Sequence, residues 1–414
     1  MVDFMEDTYK KKPLWTAING VPNMYPWLSY NETCSVCIVG GGVTGALCAL
    51  RFARQGIDTV LLSAGPVGYG GTSESSGVLQ LNIGGGLDPL SKQIGTKQAV
   101  TVYEHCLKAM DQLEELVSSL DDQTGFYRTD TLTFTKEEDN IDEIHKEYLL
   151  LKHNNFEVGL IDREKAAQKF SFELEAGMVA KRLGAIVDPY RLTHALLKAA
   201  QNAGARVYEN TPVNNIQTVD GKTTIDVDTR HTVTTDTVIA AVGIDCINFI
   251  KSSGSKRTTF AIATGIDEDL ADFGDKFIIN DIDHPEITYS VTPGDRIISY
   301  GLEAGMIDRK RKVASFFPLT IFEKKKYRHL EKELQFLFPG LRQTKAEFAF
   351  TADHFQTDDC LPLIGSHHEY ENCYFAFCTG RSGILFSEIA SEMILAEYQG
   401  KQHALSELFS PDRF

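Results

Sequence analysis

The sequence predicts an α/β protein in which an antiparallel sheet interrupts a parallel one along the chain. An apolar strand, a glycine-rich turn and a helix follow one another from residue 34, and a second helix-to-strand crossover begins at residue 188. Crossovers of this kind join parallel strands. Residues 257–301 instead contain short apolar segments separated by turns, which is typical of antiparallel strands. The two kinds of sheet predict two domains that interleave in sequence.

The first turn carries the pattern G-x-G-x-x-G, formed by Gly40, Gly42 and Gly45 between the strand SVCIV and an Ala- and Leu-rich helix. The first glycine allows the tight bend, the second lets a pyrophosphate approach the backbone, and the third lets helix and strand pack closely. Val43 and Thr44 begin the helix, whose free N–H groups face the phosphates. The motif predicts a Rossmann-like dinucleotide site; the alternative is a tight structural turn.

The usual ribose ligand, a carboxylate at the end of the second strand, is replaced here by Ser63. NADP would need a nearby Arg or Lys for its 2′-phosphate, and the following residues AGPVGYGGTSESSG contain neither. This segment includes Gly71, Thr72 and Ser73, which are suited to wrapping phosphate and ribityl oxygens with backbone and hydroxyl groups. It favours FAD over a nicotinamide cofactor; the alternative is an ordinary flexible loop.

The composition excludes several classes of protein. The 414 residues carry a formal net charge of −16, which repels nucleic acids and anionic lipid surfaces. No run of about 20 apolar residues is present, so we predict no membrane span. Eight scattered cysteines, and a start without a basic and apolar leader, predict a reducing, cytoplasmic location.

Several separated segments resemble the D-amino-acid oxidase, glycine oxidase and sarcosine oxidase superfamily of FAD-dependent oxidoreductases. They are CIVGGGVTGALCALRFARQGIDTVLLSAGPVGYGGTS, VDPYRLTHALLKAAQNAGARVYENTPV, TVIAAVG, DDCLPLIG and CYFAFCTGRSGILFSEIASEMI, and they extend over residues 34–400. The resemblance implies a Rossmann-like FAD-binding domain with a discontinuous antiparallel-sheet substrate domain. It also implies that the Val213 backbone touches the adenine, that Gly243 ends a strand beside the cofactor, and that residues 380–385 pass close to the flavin ring.

The residues of that last segment support the same placement on physical grounds. Gly380, Ser382 and Gly383 are small enough for the backbone to approach a flat ring. The helix that begins at about Ser382 points its positive end inward, where a reduced flavin develops negative charge. We therefore expect residues 380–384, including Arg381, to contact the cofactor; the alternative is a plain strand-to-helix turn.

The substrate residues depart from the family pattern. The family holds amino-acid carboxylates with an arginine, and that position falls at His354, an imidazole that is largely neutral at physiological pH. Arg381 resembles a second active-site arginine of the family and is the remaining candidate for binding an anion, although it could instead hold backbone carbonyls. Tyr289 and Tyr300 lie on a predicted hairpin, where they face the cavity or fill the sheet. The candidate catalytic residues are thus Arg381, Tyr289 and His354.

The leading hypothesis is an FAD-dependent oxidase or dehydrogenase that oxidises the C–N bond of a small amine or amino acid, with oxygen or another electron acceptor as re-oxidant. Oxidation of a hydroxy acid and a non-catalytic flavin-binding protein are the alternatives. No metal site is predicted, because Cys34 and Cys37, three apart on a strand, should face opposite sides. His354, His367 and His368 likewise show no metal-like spacing.

The same segments divide the chain into discontinuous domains. The predicted parts are an N-terminal arm (1–33), the FAD-binding domain (34–95, 180–250 and 352–400), the substrate domain (96–179 and 251–351) and a C-terminal tail (401–414).

Overall fold

A computed structural model describes residues 10, 12–227, 230–266, 276–283, 287–305, 321–378 and 380–414. The helices are α1 (Leu14–Ile18), α2 (Val43–Arg54), α3 (Leu87–Ile94), α4 (Thr96–Ser118), α5 (Ile141–His153), α6 (Arg163–Ala167), α7 (Pro189–Asn202), α8 (Ile321–Leu337) and α9 (Gly383–Tyr398). The strands are β1 (Glu32–Val39), β2 (Thr59–Leu62), β3 (Val78–Gln80), β4 (Tyr127–Thr135), β5 (Val158–Asp162), β6 (Ala176–Ile186), β7 (Arg206–Tyr208), β8 (Asn215–Val219), β9 (Lys222–Asp226), β10 (Thr232–Ala240), β11 (Gly254–Ile266), β12 (Ile278–Asp281), β13 (Ile287–Val291), β14 (Arg296–Gly305), β15 (Ala346–Thr357), β16 (Leu363–His367) and β17 (Tyr370–Phe377).

The first sheet is mainly parallel, in the order β16-β17-β10-β1-β2-β7. Strands β17, β10, β1, β2 and β7 run in one direction, while β16 pairs antiparallel at the edge and the hairpin β8–β9 extends from β10. Helix α2 packs against α7 and α9. Helix α7 begins as the sequence predicts, because the Asp188 side chain accepts the backbone N–H groups of Tyr190 and Arg191, both at 3.0 Å. The predicted Rossmann-like fold is confirmed.

The second sheet has the order β15-β11-β14-β13-β12-β4-β6-β3, with β5 on β6, and most of its pairs are antiparallel. Helix α8 covers one face, where Leu330 and Leu334 join a buried cluster with Phe260, Ile262 and Ile297. The opposite face of β14, β11 and β15 lies over the carboxyl end of the parallel sheet, where Tyr300, Ala261 and Ala352 line a cleft.

The sheets do not follow the predicted domain boundaries at every strand. Strand β3, all of β6 and all of β15 belong to the second sheet, although residues 78–80, 180–186 and 352–357 lie within segments assigned to the FAD-binding domain. Strands β6 and β15 cross a predicted boundary, and β3 lies inside a segment assigned to the other domain, because the hydrogen-bond partners of these strands are remote in sequence. The discontinuous division itself stays a prediction.

The N-terminal arm contains one short helix, α1. Pro13 precedes α1, a position that suits its fixed φ. The Trp15 ring is buried, and its indole N–H donates to the Ser75 carbonyl at 2.7 Å. The arm is thereby attached to the glycine-rich segment. The C-terminal tail is held against β16, because the Ile364 N–H of that strand donates to the carbonyl of Phe409 in the tail at 2.7 Å.

Cys34 and Cys37 correct one expectation drawn from strand geometry. Both are free thiols in the same buried cluster, and a hydrogen bond from Cys37 lowers the pKa of Cys34. The backbone N–H groups of Ser35 and Val36 both donate to the Asp58 carbonyl, at 3.1 and 3.0 Å, so the strand is irregular between the two cysteines. The regular alternation of side chains is lost there, and the two thiols meet on one side of the strand.

Among the residues described, none of the helices is both long enough and apolar enough to cross a bilayer.

Candidate functional site

A cleft of about 520 Å³ runs across the carboxyl end of the parallel sheet. Every parallel strand contributes residues that follow its carboxyl end, which is where open α/β sheets bind ligands. In the spatial order of the strands β7, β2, β1, β10 and β17, the lining residues include Thr211 and Val213, then Ser63–Pro66, Gly40–Thr44, Ala241–Asp245, and finally Cys378, Gly380, Arg381, Gly383 and Ile384.

The glycines of the first turn have no room for side chains. Gly40 has φ +126°, and a Cβ there would lie 2.2 Å from the Ala241 carbonyl oxygen. A Cβ on Gly45 would lie 1.9 Å from the Gly40 carbonyl oxygen. Gly45 does not line the cleft and instead lets α2 pack against the turn. Gly42 lines the cleft, where a Cβ would come within 3.0 Å of the Thr72 hydroxyl.

The glycine-rich segment after β2 lines the middle of the cleft, beside the first turn. The Val43 N–H donates to the Thr72 hydroxyl at 3.0 Å, so Thr72 lies at the N-terminus of α2. Gly71 and the buried Ser63 also line the cleft. Ser73 does not line it, because its hydroxyl donates to the Gly70 carbonyl at 2.9 Å. The predicted cofactor residues of this segment therefore divide into lining and supporting positions.

The strand-to-helix turn after β17 forms the end of the cleft that lies away from β7. Gly380 has φ +92°, and a Cβ on Gly383 would lie 3.0 Å from the Cys378 carbonyl oxygen. Arg381 and Ile384 line the cleft, whereas Ser382 lines the cavity beside it. Nothing lies within 4 Å of an added Cβ on Gly380, so there is open space beside this glycine, as a flat ring requires.

The cleft fits an extended dinucleotide. The middle of the cleft is formed by glycine backbone and by the N-terminus of α2, which suit a pyrophosphate. Its two ends lie after β7 and β17, toward opposite edges of the sheet. Of the residues predicted from sequence to hold the group, Gly45, Ser73 and Ser382 do not line the cleft, and the others do.

A second cavity of about 280 Å³ adjoins the cleft and shares His354, Gly380 and Arg381 with it. Its polar wall comes largely from the second sheet and includes Gln80, Thr131, Thr133, Arg257, Asn280, Asp281 and Gln356. Its apolar wall includes Leu151, Met178, Ala180, Leu183 and Phe386. A small molecule in this cavity would lie next to the β17 end of the cleft.

Tyr289 and Tyr300 lie on opposite faces of the second sheet. Tyr300 pairs with Thr288, so the neighbouring Tyr289 projects from the other side. Tyr300 lines the cleft. Tyr289 is 1% exposed and packs edge-on against Phe338, with ring centroids 5.4 Å apart. The expectation that Tyr289 is a substrate contact is therefore not supported by its position, which is in the core beneath α8.

A buried hydrogen-bond network joins the two cavities. The amides of Gln80 and Asn280 bond to each other at 3.0 and 3.3 Å, and the Thr288 hydroxyl donates to Asn280 at 2.9 Å. Gln80 also reaches the Tyr300 hydroxyl at 3.5 Å. Burial raises the pKa of Tyr300, and the nearby Arg381 partly opposes this rise. The phenol therefore stays protonated and can donate a hydrogen bond.

Glu147 lines the second cavity, but its carboxylate is already hydrogen-bonded to a helix start. Its carboxylate accepts the backbone N–H groups of Leu87 and Asp88, both at 2.7 Å, at the start of α3. Burial raises its pKa, while these hydrogen bonds lower it. The carboxylate thus caps a helix at the edge of the cavity.

Arg257 is the residue that sequence reasoning missed. It lies directly opposite His354 in the antiparallel pair β11–β15, so both side chains are on one face. Both line the second cavity. The sequence does contain one indication of this residue, because Arg257 stands two positions before the strand TFAIA in the predicted antiparallel block. Its meaning depends on the strand register, which the sequence does not reveal.

The histidines considered for metal binding lie elsewhere. His367 and His368 are at the end of β16, where His368 Nδ1 is 2.6 Å and His367 Nε2 is 3.4 Å from Asp412 Oδ1. Ligand atoms of the three residues lie within 4.8 Å of one another. His354, by contrast, faces the two cavities. Hydrogen bonding to Asp412 accounts for the arrangement of the pair.

Together the fold and the cleft define a dinucleotide-binding protein with a second cavity beside the cofactor site. The chain belongs to the family of FAD-dependent oxidoreductases, because the family model described as "FAD dependent oxidoreductase" matches residues 35–397. It is therefore a flavoenzyme that uses FAD, as the sequence predicted.

Relatives and a solved structure agree with this assignment. The chain is 23% identical over 394 residues to a probable oxidoreductase OrdL of Haemophilus influenzae, covering 92% of this chain and 86% of the relative. It is 23% identical over 387 residues to the gamma-glutamylputrescine oxidoreductase of Escherichia coli, covering 91% and 86%. The crystal structure of glycine oxidase from Geobacillus kaustophilus superposes with a TM-score of 0.73 at 19% identity, covering 93% of this chain and all of that one.

Proposed function

We propose that the protein oxidises the C–N bond of a small amine or amino acid in the second cavity and passes the electrons to oxygen or another acceptor. The observation that carries the proposal is the junction at His354, Gly380 and Arg381, where the substrate cavity meets the β17 end of the cofactor cleft. Two similar proteins, a gamma-glutamylputrescine oxidoreductase and a glycine oxidase, support C–N chemistry by their names.

FAD, when bound, accepts a hydride from the carbon that bears nitrogen, which leaves an imine that water hydrolyses. The chain's own residues position the substrate for this step. Arg381, which resembles an arginine of glycine oxidase-like proteins, is proposed to hold the substrate carboxylate at the junction. A charged hydrogen bond of this kind contributes roughly 1.5–3 kcal/mol and fixes orientation.

Tyr300 and the surrounding walls define the environment of the reacting carbon. The protonated Tyr300 hydroxyl, held by Gln80, is proposed to donate a hydrogen bond at the face of the cleft. Met178, Leu183 and Phe386 keep the inner wall of the cavity apolar. A dry site strengthens the attraction between Arg381 and an anion because the local dielectric constant is low.

The thiols support a reducing, cytoplasmic compartment for this activity. All eight cysteines are free, including Cys34 and Cys37, whose side chains are in contact. An oxidising compartment would favour a bond between neighbouring thiols.

Matched substrate pairs test the reaction. Purified FAD-loaded protein is mixed without oxygen with 2-amino acids and the corresponding 2-hydroxy acids, and flavin absorbance is followed. We expect an amino acid or amine to bleach the flavin and its hydroxy counterpart to leave it unchanged. Bleaching by the hydroxy acid alone would favour the alternative reaction. Bound flavin that no compound of either class bleaches would contradict both.

Arg381→Gln provides the residue-level test. We expect the substrate concentration for half-maximal bleaching to rise about tenfold to a hundredfold, because one charged hydrogen-bonded contact is lost. Arg163→Gln is the control, since Arg163 is an exposed arginine that pairs with Glu173 and Glu175 on the surface. An unchanged concentration dependence in Arg381→Gln would refute its role.

A further inference from the structure

The N-terminal arm carries a row of exposed apolar side chains. Between 53% and 86% of each residue is exposed in a set of four, which are Val21, Met24, Trp27 and Tyr30. They recur at every third position, whereas Tyr25 and Leu28, which are also three apart, are buried. A period of three is that of an extended chain in the polyproline II conformation. The arm therefore turns one side toward the body of the protein and presents the four exposed residues, called the ridge below, on another side.

The shape of the arm is fixed by its own sequence and by hydrogen bonds to the body. Pro22 and Pro26 lock their own φ angles and keep the residues before them extended. The Pro26 carbonyl accepts the Glu209 N–H at 3.0 Å, and the Leu28 N–H donates to the Thr211 hydroxyl at 3.1 Å. The ridge is thus held in place before a partner arrives, so that little conformational entropy is lost on binding.

The arm lies beside β7, which is the last strand at one edge of the parallel sheet. Its contacts Glu209 and Thr211 follow this strand, and the hydroxyls of Tyr30 and Tyr208 share a hydrogen bond of 2.8 Å. The junction of the two cavities lies after β17, toward the other edge of the sheet. A partner on the ridge therefore leaves the junction open.

The charge of this segment points to the kind of partner. Residues 13–31 contain no charged residue, although 24% of the whole chain is charged and the net charge is −16. The centres of protein interfaces are likewise poor in charge and rich in Trp, Tyr and Met. The ridge offers no Lys or Arg to an anionic lipid and no carboxylate to a basic partner. A second copy of the chain presents the same uncharged, apolar surface.

The exposed area is sufficient for a specific contact between two copies. A large side chain has a surface of roughly 150–250 Å², so the exposed fractions of the ridge amount to about 500 Å² per copy. Apolar patches of this size on a soluble protein mark interaction sites. Two copies together would bury about 1,000 Å² from the ridge alone, which reaches the lower limit for specific interfaces. The exposed Pro22, Pro26 and Ser29 beside the ridge add to this area.

We propose that the ridge is the centre of an interface between two copies of this chain, related by a two-fold axis. A two-fold contact places the same patch of both copies face to face and closes the assembly at two copies. The proposal does not depend on the proposed reaction, and its tests need no substrate.

Sedimentation of the FAD-loaded protein tests the assembly. Samples from about 0.1 to 100 µM are compared at low and high NaCl concentration. We expect a reversible dimer in the micromolar range or below, and we expect salt to tighten it, because salt screens the repulsion between two acidic bodies. A monomer at every concentration would overturn the proposal. Dissociation of the dimer by salt would indicate an ionic contact and would also overturn it.

Variants assign the dimer to the ridge. Trp27→Ser should raise the dissociation constant at least about tenfold, because the two-fold axis removes an aromatic contact from both sides at once. Met24→Ser should act in the same direction and decides the matter if the first variant does not fold. Phe336→Ser is the matched control, since Phe336 is an aromatic residue of α8 that is 76% exposed. Equal dissociation constants for Trp27→Ser, Met24→Ser and Phe336→Ser would contradict the proposal.

Tryptophan fluorescence shows directly whether the ridge is covered. The chain has two tryptophans, and Trp15 is only 1% exposed, so that quenching by acrylamide reports on Trp27. We expect quenching in the dimer to fall toward that of Trp27→Phe, in which Trp15 alone remains. A dimer in which Trp27 is quenched as in the monomer would show that the contact lies elsewhere. Binding of the monomer to phosphatidylcholine vesicles, without a dimer in their absence, would assign the ridge to a lipid surface and overturn the proposal.

Discussion

The two cavities of this protein meet at three residues, yet they are assembled in different ways. The cofactor cleft is made of short continuous segments, each directly following a parallel strand, as in Gly40–Thr44 and Ser63–Pro66. The second cavity is made of single side chains from strands remote in sequence, such as Gln80 on β3, Asn280 on β12 and His354 on β15. Local motifs therefore shape the cofactor cleft, and strand register determines which side chains line the second cavity.

The largest effect should come from a change in the local motif. A Cβ at Gly45 would lie 1.9 Å from the Gly40 carbonyl oxygen, which forces α2 away from the turn that holds the cofactor. We expect the variant Gly45→Ala to lose bound FAD, and we expect its free energy of unfolding to be lower by about 3 kcal/mol or more. Flavin absorbance after purification and denaturant unfolding measure the two effects.

Gly159→Ala is the matched control for that change. Gly159 lies on β5 with nothing within 4 Å of an added Cβ, and its backbone is in an ordinary conformation. We expect normal FAD content in this variant. Full FAD occupancy in Gly45→Ala would break the argument that the local motif alone determines the cleft.

A smaller effect on stability should come from protonation of His194, which packs beneath the glycine-rich segment after β2. His194 on α7 is buried, with its ring 4.7 Å from that of Tyr190, and an added Cβ on Gly68 would meet both rings. Burial lowers the pKa of His194 to about 4, below its unfolded value near 6.5. The unfolded chain therefore binds the proton first, and stability present above pH 6.5 is lost as the pH falls toward 4.

The variant His194→Phe isolates this titration, because it keeps an aromatic ring that cannot be protonated. Between pH 6.5 and pH 4, the unmodified protein should lose up to about 3 kcal/mol relative to the variant. Denaturant unfolding over this range, with FAD release followed in parallel, measures the difference. Parallel pH profiles of the two proteins would contradict the assignment to His194.

The features that the sequence predicted correctly are local ones. The G-x-G-x-x-G turn, the start of α7 at Asp188 and the glycines around Gly380 each depend on a few neighbouring residues, so their geometry follows from residue type and spacing. The family resemblance added His354 as the position that departs from the pattern, and the structure places this residue at the junction of the cavities.

The features that the sequence did not predict depend on pairing. Tyr289 and Tyr300 looked equivalent on a hairpin, but the pairing of Tyr300 with Thr288 puts Tyr289 in the core. Arg257 gained its meaning only from its partner His354. A shift of one residue in register moves every side chain to the other face of a strand, and composition does not record that shift.

A crystal structure of the protein with FAD and valerate, an unreactive carboxylic acid, tests the central claim most directly, namely that the reacting bond lies where the two cavities meet. We predict the flavin ring against the backbone at Gly380 and Gly383 and the valerate carboxylate on Arg381. A flavin ring away from this junction, or valerate bound outside the second cavity, would contradict the account.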